Sequence, residues 1–326
     1  MNIQSAEASS PLAVLTEPLR RLQIREYGIV FVFLALFITL SLSSDRFFQK
    51  QNFFNILDQW SAIGLLACAA TICIISGVFD LSAGAMVSVS AVVACKVAVG
   101  TTPWVGILAG VGTGLGLGIA NGLVVHLTQI NSFIGTLATG IVFAGLAIII
   151  TGGNIVTVTD PEFGVLGQND WLGLKYTGWV LIGFAAISGI VLARSRFGRY
   201  VYAVGGNAES ARLSGIRVGL IRGSCFAVSG LAAGIAGSLL ASRTTSAQAD
   251  LGRGMELTAI SAAILGGTSI FGGEGAVWRA VLGVLLLAMI GNGFNLLGID
   301  TTYQAIVQGA LILVAVAADQ LLRRRA

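Results

Sequence analysis

Long apolar runs alternate with short polar segments along most of this chain. The runs cover 27–44, 61–78, 80–99, 103–127, 131–151, 176–193, 223–241, 257–271, 277–297 and 302–322. A helix needs about 20 predominantly apolar residues to cross the hydrocarbon core of a bilayer. The pattern therefore predicts an all-α polytopic membrane protein of about ten transmembrane helices. The run 257–271 is short and reads either as a full span or as a segment that re-enters. The polar link 45–58 carries Phe47, Phe48, Phe53 and Phe54, with Trp60 just beyond, and reads as an interfacial aromatic belt. The intervals 152–175 and 242–256 read as polar loops. The ends, 1–26 and 323–326, read as a lead without a cleavable signal and a short tail.

Composition agrees. Of 326 residues, 55% are hydrophobic and only 10% charged, and the mean hydropathy is +0.88. Soluble domains carry about 25% charged residues. The 44 glycines suit close helix contact in a membrane. The net charge of +4 is no nucleic-acid signal, because the arginines sit at the ends of the runs.

The positions of the cations orient the chain. The interval 194–222 contains Arg194, Arg196, Arg199, Arg212, Arg217 and Arg222 against one acid, Glu209. Short loops this basic stay on the cytoplasmic side. With a cytoplasmic N-terminus, ten spans leave 13 of the 19 Lys and Arg inside, including Arg323, Arg324 and Arg325. The exceptions are Arg46, Lys50, Lys96, Lys175, Arg243 and Arg253. Both termini are thus expected in the cytoplasm. Spans two to five and seven to ten then run in opposite senses, the layout of an inverted repeat of two four-helix blocks, with no residue-level match to accompany it.

Within the basic interval a short helix is expected. Asn207 suits its N-cap, Glu209 the first turn and Gly215 the stop, with Ala211 and Arg212 between. A rigid helix on the cytoplasmic face is a docking surface. Gly106, Gly110, Gly114, Gly118 and Gly122 form a stripe for close helix packing, and Asn121 beside it bonds either a solute or a neighbouring helix. Asp80 reads equally as the N-cap of the third span or as a group lining a path. Asn292 and Asn295, with Gln304 and Gln308, are further neutral polar groups at membrane depth. Asp80, Asn121, Asn292 and Asn295 are the candidates for a polar path. Cys68, Cys73, Cys95 and Cys225 lie inside apolar runs and read as small core residues. No metal site is expected. The lone His126 offers no catalytic set, and no GxxxxGK[ST] loop is present, so the chain has no Walker-type site for ATP.

Several stretches resemble one family. Glu209–Gly215, ESARLSG, resembles the EAA-x-x-x-G loop of ABC importer permeases, with Ser210 replacing the first alanine. FGRYVYAVGGNAESARLSGIRV is similar to the cytoplasmic loop of ribose-type monosaccharide permeases. GVFDLSAGAM resembles their GGIDLSVGS segment, departing at Val78 and Phe79, and NSFIGTLAT their PSFIVTLGT segment, with Asn131 for proline. The stretches ILGGTSIFGGEGAVWRAVLGVLLLAMIGNGFNLLGI and YQAIVQGALILVAVAAD resemble the C-terminal part, so the likeness covers about residues 50–320.

The resemblance implies a permease domain over 27–322 in a bacterial inner membrane, with 194–222 as the coupling loop. It implies two permease chains, two ABC ATPase subunits holding ATP and Mg, and an extracytoplasmic solute-binding protein, with no cofactor in this chain. Asn207, Glu209, Ala211 and Gly215 would couple to the ATPase, with Arg199 and Arg212 pairing its acids. The competing readings are a stand-alone facilitator for small neutral solutes and a membrane enzyme. The latter has no catalytic constellation behind it.

Overall fold

A computed structural model describes residues 29–300 together with 303, 304, 306, 307, 309, 310 and 313. The expected lead 1–26, the tail 323–326 and most of the run 302–322, with Gln308, lie outside the described residues. Those of the last run that are described are helical.

The chain begins with α1, Ile29–Ser43. Then follow α2 (Lys50–Ile75), α3 (Ala83–Gly100), α4 (Pro103–Thr128) and α5 (Ser132–Thr151). A compact connection holds β1 (Val156–Thr157), a 3-10 turn, the single-turn α6 (Val165–Gln168), β2 (Asp170–Trp171) and β3 (Leu174–Lys175). Next come α7 (Tyr176–Arg194), α8 (Arg196–Gly206), α9 (Ala208–Leu213) and α10 (Val218–Thr244). β4 (Ser246–Ala247), α11 (Met255–Leu265) and α12 (Val277–Leu296) complete it. β1 pairs with β4 and β2 with β3, both antiparallel. Among the described residues, α2, α3, α4, α5, α7, α10 and α12 are long and apolar enough to cross a membrane. The protein is an all-α polytopic membrane protein, the strands being two-residue pairings.

Two expectations change, and a third reading, open between a full span and a re-entrant segment, narrows. The link 45–58 is largely helix, since α2 starts at Lys50. Its polar residues were read as loop, but the fold gives them partners. Asn52 and Asn292 exchange side-chain hydrogen bonds at 3.1 and 2.8 Å. Phe47 is fully buried rather than interfacial. It packs edge-on against Phe37 and Phe53, with ring centres 5.6 and 5.7 Å away, and so fastens α1 to α2. Of the five aromatics only Phe48 is exposed, at 67%. Third, α11 has 11 residues. At 1.5 Å per residue that is about half the hydrocarbon core, so 257–271 is a half-helix followed by irregular chain.

Asp58 is buried among α2, the start of α7 and the end of α10. Its Oδ1 accepts from Thr177 Oγ1 at 2.6 Å, while Oδ2 faces Lys175 Nζ at 3.5 Å and Arg243 at 3.7 Å. Removing the carboxylate strands a hydroxyl and two cations. Because the cations are about a third exposed, the loss falls below that of a fully buried pair. Asp58→Ala is expected to cost about 2 kcal/mol, read as a lower unfolding temperature in detergent. An unchanged temperature would show that the three elements do not depend on this clamp.

The glycine stripe of α4 meets two helices. A Cβ on Gly106 would meet Ala94 and Ala98 of α3, and one on Gly118 would lie 2.8 Å from Gly230 Cα of α10. Gly112 and Gly116, on the opposite face, have nothing within 4 Å. The four cysteines are buried and unbridged, as expected of core residues.

The two halves also show a match that the linear reading missed. α10, α11 and α12 start 168, 172 and 174 residues after α2, α3 and α4. Asp80-Leu81 and Gly84 stand at the start of α3, and Asp250-Leu251 and Gly254 at the start of α11. These two starts touch. A Cβ on Gly84 would strike the carbonyl oxygen of Gly252, and a Cβ on Gly252 that of Gly84.

Candidate functional site

The contact between those helix starts forms one wall of a recess of about 690 Å³. Gly254, at φ +82°, turns the chain out of the run of tight turns over 248–253 into α11. Gly252 N donates to Ser88 Oγ at 2.9 Å and fastens the segment to α3. The turn presents Gln248, Asp250, Arg253 and Glu256 to the recess, with Ser88 and Asn154 beside them. Leu137, Ile141 and Ile148 of α5 form the opposite, aliphatic wall. Glu256 Oε2 is buried and has no hydrogen-bond partner among the described residues. Acceptors, amides and one guanidinium facing an aliphatic wall suit a small solute that carries several hydroxyls and one apolar face.

The path candidates read from sequence fall in two other places. Asp80 and Asn121 are buried together. Ser82 Oγ donates to Asp80 Oδ1 at 2.6 Å and accepts from Asn121 Nδ2 at 2.6 Å. Asp80 is not the N-cap of α3, because that position is Ser82. It forms an Asx turn just ahead, accepting from Ser82 N at 3.0 Å. Asp80 Oδ2 and Asn121 Oδ1 have no partner among the described residues. Asn292 and Asn295 line a separate cavity of about 170 Å³ with Gln59 and Gln304. The recess residues Gln248, Asp250, Arg253 and Glu256 were missed because hydropathy marks 242–256 only as polar. The repeated Asp-Leu…Gly spacing was the available signal.

The basic interval folds into two helices, where one was expected. Ser195 caps α8 by accepting from Gly198 N at 3.1 Å. α8 buries Val201 and Val204. Gly205 lies so close to Ile75 O that no side chain fits. Gly273 N donates to the same Ile75 O at 2.8 Å, and Tyr202 Oη donates to Gly275 O at 2.8 Å. Burial raises the Tyr202 phenol above its ordinary value, with Arg279 pulling the other way. α8 is thereby joined to the end of α2 and to the loop before α12.

α9 has the caps its sequence announces. Asn207 Oδ1 accepts from Ser210 N at 2.9 Å. Gly215, at φ +82°, ends the helix, with Ile216 N bonded to Ala211 O and Gly215 N to Arg212 O, both at 3.0 Å. This is a Schellman closure. Ala211 is buried and seats the helix, while Leu213 is 77% exposed. Arg199 is exposed on α8. Arg212 donates to both Glu209 oxygens, at 2.6 and 3.1 Å, which raises its pKa. Arg212 therefore already has an acid within its own helix.

Over residues 52–316 the chain matches the family described as the branched-chain amino acid transport system / permease component. It is 39% identical to the ribose import permease protein RbsC of Bacillus subtilis (strain 168), covering 88% of this chain and 91% of that one. It is 40% identical to the L-arabinose transport system permease protein AraH of Escherichia coli (strain K12), over 90% of each chain. The L-arabinose ABC transporter permease protein AraH of Azospirillum brasilense is 38% identical, over 93% of this chain and 89% of its own.

Proposed function

This chain belongs to the family of branched-chain amino acid transport system permease components, and from that premise we propose that it is the membrane-spanning subunit of an ATP-driven ABC importer for a monosaccharide. The observation that carries this reading is α9, a helix capped at both ends and held on the bundle through α8. Relatives named for ribose and L-arabinose point to the sugar class.

In this reading the chain crosses the inner membrane ten times with both termini in the cytoplasm. The half-helix α11 and the irregular chain on either side of it make one crossing together. The spacing near 170 residues then marks an inverted repeat, with the solute recess where its halves meet. Two copies form the pore, a solute-binding protein delivers sugar from outside, and an ABC ATPase binding ATP and Mg docks on α9. Asn207, Glu209, Ala211 and Gly215 shape that helix, while Arg199 and Arg212 meet acids of the ATPase. ATP-driven closure pushes α9, α8 passes the motion to the end of α2, and the recess alternates between the two sides. Asp80, Asn121, Asn292 and Asn295 provide polar contacts along the path in other states of the cycle.

The test is uptake of labelled pentoses and hexoses into proteoliposomes holding this chain, its ATPase and its binding protein. Accumulation against a gradient that stops without ATP supports the importer. Equilibration through the chain alone, indifferent to ATP, would support a facilitator instead. Gln248→Ala removes one neutral hydrogen-bonding group from the recess. It is expected to raise the half-saturating sugar concentration roughly fivefold. An unchanged saturation curve would take the solute out of this recess.

A further inference from the structure

A second recess, of about 790 Å³, lies beside α9; Glu209, Arg212 and Gly215 of the coupling scheme border it, whereas Arg217, Arg222 and His126 have no role in that scheme. Its walls are the end of α4, the first two turns of α10 and the face of α9 that carries Ala208, Glu209 and Arg212. It is basic. Arg212, Arg217, Arg222 and His126 line it against a single acid, Glu209, which Arg212 already engages. Among the described residues, the side chains of Arg217 and His126 have no hydrogen-bond or ion-pair partner. Arg222 donates to Ser76 O at 3.3 Å and is held in place. His126 abuts Gly219, where a Cβ would collide with its ring.

The surroundings define the occupant. The recess stands level with the end of one membrane helix and the start of another. Exposed Leu127, Ile130 and Leu220, at 75, 42 and 56% exposure, flank it. A docked soluble acid would match the cations and leave this aliphatic rim wet. A free inorganic anion would also leave it unused. An acidic phospholipid satisfies both parts, with its phosphate among the cations and its acyl chains along the rim. We infer that the recess beside α9 binds the headgroup of an anionic phospholipid, and that this lipid braces α9 against the ends of α4 and α10. The inference requires only that the chain spans a bilayer and is independent of the solute carried.

The experiment uses the full chain purified in mild detergent. Native mass spectrometry counts retained lipid after titration with phosphatidylglycerol or phosphatidylcholine of identical acyl chains. Preferential retention of phosphatidylglycerol is expected. Arg217→Gln should weaken it roughly fivefold, and Arg217→Gln with His126→Gln further still. Arg196→Gln, which removes a charge of α8 outside the recess, should leave it unchanged. Equal retention of the two lipids by the unaltered chain would overturn the proposal, even if the double variant failed to fold. Equal loss in the Arg196 and Arg217 variants would overturn it as well, by reducing the effect to general surface charge. Millimolar inorganic phosphate displacing the lipid would assign the recess to a free anion and reject the lipid. If Arg217→Gln lost the ATPase on co-purification but kept its lipid, the recess would belong to the protein partner.

Discussion

Gly230→Leu is expected to leave almost no folded protein in the membrane. A Cβ at this position would lie 2.7 Å from Gly118 Cα and 2.8 Å from Gly118 N, and it would overlap Gly114 O. All three obstacles are backbone atoms of α4, so no rotamer change relieves them. The helices must separate, and with them goes the packing of the paired glycines and the bond from Ser238 Oγ to Ile107 O at 3.2 Å. In a bilayer, close packing of this kind is a main source of helix association. Overpacking a well-fitted contact costs about 1–3 kcal/mol, and backbone obstacles put this case at the upper end. Gly116→Leu adds the same side chain to the same pair of helices, but on the open face of α4, and should be silent. The check is the amount of chain in the membrane fraction and its elution as a single species. A Gly230→Leu protein that behaves like Gly116→Leu would refute the role assigned to the α4–α10 contact.

Gly215→Val is expected to abolish most ATP-driven uptake while the chain still reaches the membrane. The position has φ +82°, and a Cβ there would meet nothing within 4 Å. The substitution therefore acts through backbone conformation alone. A left-handed residue with a side chain costs about 1–2 kcal/mol, and a β-branched one suffers most. Moving Gly215 out of this region breaks the two hydrogen bonds that close α9, and the six-residue helix has little else to keep its last turn. The population of intact α9 should fall roughly tenfold, with ATP-driven uptake falling alongside. Gly215→Asn, which tolerates the left-handed region, should retain most of it. Uptake in proteoliposomes with the ATPase and binding protein measures both. Full uptake by the valine variant would remove α9 from the coupling path.

α9 was legible because its determinants are local. A cap, an acid in the first turn and a terminal glycine act within six or eight residues, so Asn207, Glu209 and Gly215 announce the helix before any fold is known. The glycine stripe of α4 was legible for a similar reason, since its four-residue spacing places it on one face. α8 was not. It is too short and too basic to stand out as a span, and what holds it is Ile75 O, Gly273 and Gly275, residues far away in the chain. The start of α2 was missed because Asn52 and Asp58 look like loop residues until Asn292, Thr177, Lys175 and Arg243 supply their partners. Phe47 was misread because an aromatic near a span end looks the same whether it meets lipid or Phe37 and Phe53.

The sequence by itself determined the environment and class of the chain. The lengths of its apolar runs and the placement of its arginines are one-dimensional quantities, and transfer into a bilayer responds to them directly. It also determined the capped helix α9 and the packing face of α4. Only the tertiary structure decided which polar groups form a site. It buried Asp80 and Asn121 together around Ser82, sent Asn292 to Asn52, and brought Gln248, Asp250, Arg253 and Glu256 to the recess. The reason is that a polar residue in an apolar bundle must find a partner or a cavity. Which one it finds depends on helices from 39 to 240 residues away, whose approach is set by contacts as close as that between Gly84 and Gly252.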